Sequence, residues 1–131
     1  MDFLTDATYL IDLWRERGAI GPATRFAADH AGATFAVPWV CKAEFLRGAL
    51  YAGVGQERSA AFLGSFLTVF PGETTLRVYA ELYGKLRRAN RLVGPHDLWV
   101  ATCSLDTGVP LLSRNLGEFN RVPDLRVVAY T

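Results

Sequence analysis

Phe3-Leu4-Thr5-Asp6-Ala7-Thr8-Tyr9-Leu10 sets a short apolar run directly against an acid and passes at once into a helical pattern. Leu10, Leu13 and Trp14 recur at helical spacing over residues 8–17, and Gly18 ends the pattern. A strand that yields to a helix within a few residues begins a β–α unit, and the same alternation continues down the chain. Residues 22–30 read as a second helix. Residues 34–37 read as a strand that stops at Pro38. A helix follows over 39–51, with Gly53 beyond it, then a helix over 59–66 and a strand over 67–70 before the Pro71-Gly72 turn. The longest helix spans 73–90, where Leu76, Tyr79, Ala80, Tyr83 and Leu86 form one apolar stripe. Past Gly94-Pro95 a further helix starts near Asp97 and reaches Leu105. Residues 110–113 form a fourth strand, 116–119 a single helical turn, and 126–129 a last strand. Strands alternating with helices specify an α/β fold with a mostly parallel sheet.

The 131 residues are read as one domain spanning 1–131, enough for one hydrophobic core. Half the residues are apolar and 21% are charged, the balance of a soluble globular protein. No apolar run approaches the roughly 18–20 residues that span a bilayer. Met1-Asp2-Phe3-Leu4 lacks the basic segment and apolar stretch of a signal peptide, so a cytoplasmic location and no membrane partner are expected. Fourteen basic and 13 acidic residues leave a net charge of +1, so any contact with nucleic acid has to come from a local patch. Cys41 and Cys103 are far apart and lack metal-ligand spacing; both are expected to be reduced core residues.

In open parallel sheets the functional crevice lies beyond the C-terminal ends of the strands. That rule draws attention to Asp6, directly after the first strand, and to Ser113 and Asn115 at the close of the fourth. Asp97 lies where a helix begins, and Glu44 lies mid-helix among the largely apolar Val40, Cys41, Ala43 and Phe45. Each has a plain structural reading: Asp6 and Asp97 as helix caps, Glu44 as a solvated helix residue, Asn115 as a turn residue. Together they read as a site. Magnesium and manganese are hard cations that prefer oxygen ligands and keep several waters. Phosphodiester hydrolysis needs an activated water and relief of charge in the transition state, and cations held by carboxylates supply both. Clustered carboxylates without a cation repel one another and are pushed to higher pKa.

Two C-terminal stretches, Gly94-Pro95-His96-Asp97-Leu98-Trp99-Val100-Ala101-Thr102-Cys103 and Leu111-Leu112-Ser113-Arg114-Asn115-Leu116-Gly117-Glu118-Phe119, resemble the signature half of PIN domains, and more closely that of VapC-type toxins. Asp6-Ala7-Thr8 resembles the first acidic motif of that family, and Glu44-Phe45-Leu46-Arg47-Gly48 the second. Two positions depart from the pattern. Thr8 stands where an Asn is usual, and its hydroxyl is suited to cap the helix or bond Asp6. Asn115 places an amide at the fourth acidic position. The resemblance covers essentially the whole chain. It implies a PIN-like three-layer α/β/α fold, Mg²⁺ or Mn²⁺ dependence and endonucleolytic RNA cleavage. It also implies neutralisation by a cognate antitoxin, and homodimerisation. By the same resemblance Asp6, Glu44, Asp97 and Asn115 form the catalytic set. The cation rests on Asp6, Glu44 and Asp97, with Asn115 or Glu118 acting through water.

Around this set Arg47, Arg114, Ser113 and Glu118 are candidate RNA contacts. Lys85, Arg87, Arg88 and Arg91 form a basic run that suits either the helix dipole or phosphates. His96 is a candidate substrate contact or a loop residue. Trp14, Trp39 and Trp99 fit core or dimer packing better than base stacking. One alternative is a catalytically weak or inactive PIN-like module that binds RNA or protein, favoured only by the amide at Asn115. A nucleotide-binding α/β domain would need a glycine-rich loop after the first strand, and residues 5–9 contain no glycine.

Overall fold

The computed structural model describes residues 1–131. Five strands form one sheet: β1 (Phe3–Thr5), β2 (Phe35–Pro38), β3 (Phe66–Val69), β4 (Leu111–Leu112) and β5 (Val127–Val128), in the order β3-β2-β1-β4-β5. Every adjacent pair is parallel, with Leu4 opposite both Ala36 and Leu111. Seven helices connect and cover them: α1 (Ala7–Arg15), α2 (Pro22–Asp29), α3 (Trp39–Tyr51), α4 (Gln56–Leu63), α5 (Glu73–Arg88), α6 (Pro95–Thr107) and α7 (Leu116–Phe119). No helix is long and apolar enough to cross a membrane.

Strand side chains alternate between faces, and this builds the layers. Leu4 and Ala36 pack with Cys103 of α6 and with Val109 on one face, with α5 packed along α6. Phe3, Phe35, Leu112 and Val128 point the other way, onto Tyr9 of α1 and onto Ala23 and Phe26 of α2. The result is the three-layer α/β/α arrangement with a parallel central sheet. A larger cluster that includes Leu10, Cys41, Phe45, Leu86, Leu98 and Phe119 joins α1, α3, α5, α6 and α7. Both cysteines are buried free thiols. Trp14 meets Phe45 and Phe62 edge-on, and Trp99 stacks on Tyr79 with ring centroids 3.9 Å apart.

Several element ends differ from the sequence reading, each for a local reason. A 3₁₀ turn over Glu16–Gly18 takes over the end of the first helix. Its Glu16 carboxylate then accepts the N–H groups of Ala23 and Thr24, capping α2, whose N-cap Gly21 has no side chain to do so. A Cβ on Gly21 would collide with that carboxylate. Helix α4 lies three residues earlier than expected at both ends, bounded by Gly55 and Gly64, and Phe66 joins β3, where its ring packs against Phe35 and Phe62. Pro38 is the last residue of β2 and the N-cap of α3. Helix α6 begins at Pro95, a residue pre-organised for a first helical position, and ends at Gly108, whose φ of 73° is left-handed.

Leu10 is fully buried in the large cluster, whereas Leu76 is 48% exposed. Leu10→Ala is expected to lower unfolding free energy by about 2–5 kcal/mol, and Leu76→Ala by no more than about 0.5 kcal/mol. Urea denaturation reads both; equal losses would contradict the placement of the core.

Candidate functional site

The sheet order decides where a crevice opens. From β1 the chain builds β2 and β3 on one side, then returns to build β4 and β5 on the other. The seam between β1 and β4 is therefore the topological switch point. Asp6 is the first residue past β1, and Ser113 the first past β4. The Ser113 hydroxyl donates to Asp6 Oδ2 at 2.5 Å, and the Tyr9 backbone N–H donates to Asp6 Oδ1 at 2.9 Å. Asp6 is thus the helix cap that its position suggested and also the residue that closes the seam. The Asn115 N–H donates to Ser113 Oγ at 2.9 Å and fixes the hydroxyl from behind. Thr8 makes no bond to Asp6; Ser113 and Tyr9 take both oxygens.

Three further acids approach from other elements. Asp97 lies in the first turn of α6, at its third residue, and does not cap it: the N-cap is Gly94, with no side-chain bond. The helix dipole still favours a carboxylate there. Glu44 extends from α3 and meets His96, whose Nε2 is 2.9 Å from Glu44 Oε2. The other ring nitrogen of His96 is 3.9 Å from Asp97 Oδ1, so one imidazole spans two acids. Glu118 of α7 keeps its Oε2 buried with no hydrogen-bond partner.

The electrostatics tie these groups together. Burial raises the pKa of Asp6 above its ordinary value; the bonds from Ser113 and Tyr9 oppose the rise, and the charge of Asp97 adds to it. Burial also raises Asp97; His96 opposes the rise, and Glu118 and Glu44 add to it. Asp97 is thus the centre of the acidic group. No three of the His, Cys, Asp and Glu side chains converge on one point closely enough to ligate an ion directly.

Two candidate residues stand differently from their sequence reading. Arg114 is committed to the protein: its Nε donates to Asp12 Oδ2 at 2.7 Å, and Tyr130 donates to the same oxygen at 2.6 Å. Burial alone would raise Asp12, but these bonds outweigh it and hold the carboxyl below its ordinary value. Asn115 is exposed and contributes its backbone N–H. Arg47 is exposed on α3. Sequence reading passed over Asp12 and Tyr130. The one available signal was an acid set between the apolar Ile11 and Leu13.

No family model matches the chain. Ribonuclease VapC1 of Haemophilus influenzae (strain R2866) is 26% identical over 131 residues, 96% of each chain. Ribonuclease VapC of Rickettsia bellii is 31% identical over 68 residues, 51% of each. The solved VapBC-1 structure from nontypeable Haemophilus influenzae includes a chain that superposes with a TM-score of 0.80 at 22% identity, over 99% of this chain and 98% of that one. The chain is VapC-like. VapBC2 from Rickettsia felis, solved on a promoter DNA fragment, gives a TM-score of 0.83 at 18% identity with both chains fully covered. At such identities these structures establish the fold.

The raised pKa of Asp97 has a consequence for stability. A carboxyl held above 3.8 when folded stabilises the protein below its unfolded pKa, and that stabilisation is lost as pH rises through the folded value. At neutral pH the native protein bears the cost of the buried charge, and Asp97→Asn does not. With no capping bond to lose, Asp97→Asn is expected to melt at or above the native temperature at neutral pH, the gap closing in acid. Thermal melts across that range check this; a deficit that persists unchanged at every pH would contradict it.

Proposed function

We propose that the chain is a divalent-cation-dependent endoribonuclease and the toxin of a type II toxin–antitoxin pair. The observation that carries this reading is Asp6 buried at the β1/β4 switch point, with Asp97 near enough to raise its pKa and Glu44 and Glu118 near enough to raise that of Asp97. Such an arrangement costs free energy unless a cation compensates it. The donor set suits a hard ion: all four donors are carboxylates, and Glu118 Oε2 is buried without a partner. Magnesium uses one or two carboxylates directly and keeps several waters, so acids that do not close on a single point still fit a hydrated ion. Asp6, Asp97 and Glu44 would hold it, with Glu118 engaging its waters. Mg²⁺ or Mn²⁺ bound there supplies charge stabilisation at the phosphoryl oxygens and lowers the pKa of bound water.

The chain's own residues do the remaining work. Ser113 and the Tyr9 N–H fix both oxygens of Asp6, so the carboxylate is pre-organised before substrate arrives. Burial removes competing water from Asp6. His96 restrains Glu44 through its Nε2. Support for an RNA substrate comes from relatives named as ribonucleases. Support for a protein antitoxin comes from structural neighbours described as VapBC and as a toxin–antitoxin complex. On this reading the partners are an RNA, a cognate antitoxin and a second copy of the chain, acting in the cytoplasm. Against the binding-only alternative stands Glu118, whose unpartnered buried oxygen supplies a carboxylate where Asn115 has only an amide.

Asp97→Asn removes one full charge from the centre of the acidic group. Cation charge stabilisation is worth several kcal/mol, so RNA cleavage is expected to fall by roughly 10²-fold or more in a folded protein. Asn115→Ala is expected to cost much less, since the exposed amide carries no charge. Cleavage by Asp97→Asn at the native rate in Mg²⁺ would overturn the assignment.

A further inference from the structure

Away from the acids, a cleft of about 270 Å³ opens between the end of α5 and the loop after α7. Lys85, Arg91 and Arg121 line it together with Asn120, over a floor that includes Leu86 and Ala89, and no acid takes part. None of the three cations is in an ion pair; the one Lys or Arg paired with a carboxylate is Arg114. Three unpaired cations facing one concavity repel one another, and an anion relieves that repulsion. Helix-dipole complementation explains basic residues in the last turn of α5, but it does not explain Arg121, which lies on another element.

The two arginines are also held in place. Arg91 donates to the Asn120 carbonyl at 3.5 Å and Arg121 to the Leu92 carbonyl at 3.3 Å, so the two loops brace each other. Each guanidinium has five N–H donors, and one such contact leaves most of them for a ligand. The helix end is closed by backbone bonds: the carbonyls of Lys85, Leu86 and Arg87 accept N–H groups from Ala89, Arg91 and Asn90, the last in a left-handed conformation with φ 55°. The negative end of the helix dipole therefore has to be outweighed by the three cations. Lys85 also borders a second, smaller cleft that contains Glu81 and Asp124, so the arginines form the more committed part of the site.

The cleft is close to the acids along the chain. Asn120 is two residues past Glu118, and Arg91 is six residues before Asp97. Six residues span at most roughly 20 Å even when fully extended. We propose that this cleft is a subsite for a backbone phosphate of the RNA, a few nucleotides from the bond that is cut. The polyanion's identity rests on the ribonuclease reading above; the cleft's affinity for phosphate rests on its own three cations.

The test measures binding, not turnover. Fluorescence anisotropy follows a single-stranded RNA, long enough to cover the acids and the cleft, across a salt series. The protein carries Asp97→Asn so that the RNA survives. Into it are placed Arg91→Gln with Arg121→Gln, and separately Lys85→Gln, with thermal melts to confirm folding. Losing one phosphate contact is expected to reduce the salt slope by about 0.7 and, near 0.1 M salt, to weaken affinity by roughly fivefold. The Lys85 side chain makes no hydrogen bond within the protein, so its variant still reads the cleft if the double arginine variant fails to fold. Folded variants with unchanged affinity and slope would overturn the subsite while leaving the ribonuclease reading intact. A parent protein that does not bind RNA at all would remove that reading and the subsite with it. Variants that lose binding to an acidic peptide of matched charge, but not to RNA, would reassign the cleft to a protein partner.

Discussion

The carboxylate of Asp6 is buried at the seam between β1 and β4, with one oxygen taken by the Ser113 hydroxyl and the other by the Tyr9 N–H. These two bonds join the first turn of α1 to the ends of two strands that are adjacent in the sheet but far apart in sequence. A buried charge is tolerated only when its lone pairs are engaged, and here the engagement also fixes the geometry of the switch point. Around this residue the other acids take their positions. Asp97 comes from the first turn of α6, Glu44 from α3 across the His96 bridge, and Glu118 from α7.

This arrangement costs stability at neutral pH. Burial raises Asp6 and Asp97, and each carries some of the repulsion from its acidic neighbours. Asp12 is the counterexample within the same region: also a carboxylate, but bound by Arg114 and Tyr130 and held below its ordinary value. One carboxylate is structural because its charge is neutralised in place. Asp6 and Asp97 have no guanidinium or ammonium bound to them. Strain of this kind is offset elsewhere, here by three apolar clusters that pack both faces of the sheet and join the helices.

Much of this was legible in the sequence because it is local. The span of α3 follows from its apolar pattern, and the single turn of α7 from Leu116 to Phe119. Asp6, at the junction of a strand and a helix, announced both its capping role and its place at the crevice. Other features depended on distant partners. The Arg114–Asp12 pair joins residues 102 positions apart, so Arg114 read as a free cation. Asp97 read as the residue that opens α6 because an acid is a common cap, but Pro95 was the better start signal, since it suits the first helical position and leaves Gly94 as the N-cap. β4 and β5 are only two residues each, and their neighbours extend the pairing through bonds such as Ser113 N–H to the Val128 carbonyl. The sequence left Asn115 and Glu118 as alternatives at the fourth position; only the fold shows Asn115 exposed and Glu118 with its Oε2 buried near enough to act on Asp97.

The central claim is that these acids are held together for a divalent cation. Isothermal titration calorimetry with Mn²⁺ tests it most directly, comparing the native protein with the Asp6→Asn, Asp97→Asn double variant. The amides preserve side-chain size and remove two charges. The account predicts a saturable site in the native protein and its loss in the folded double variant. Equal affinity in both would contradict it.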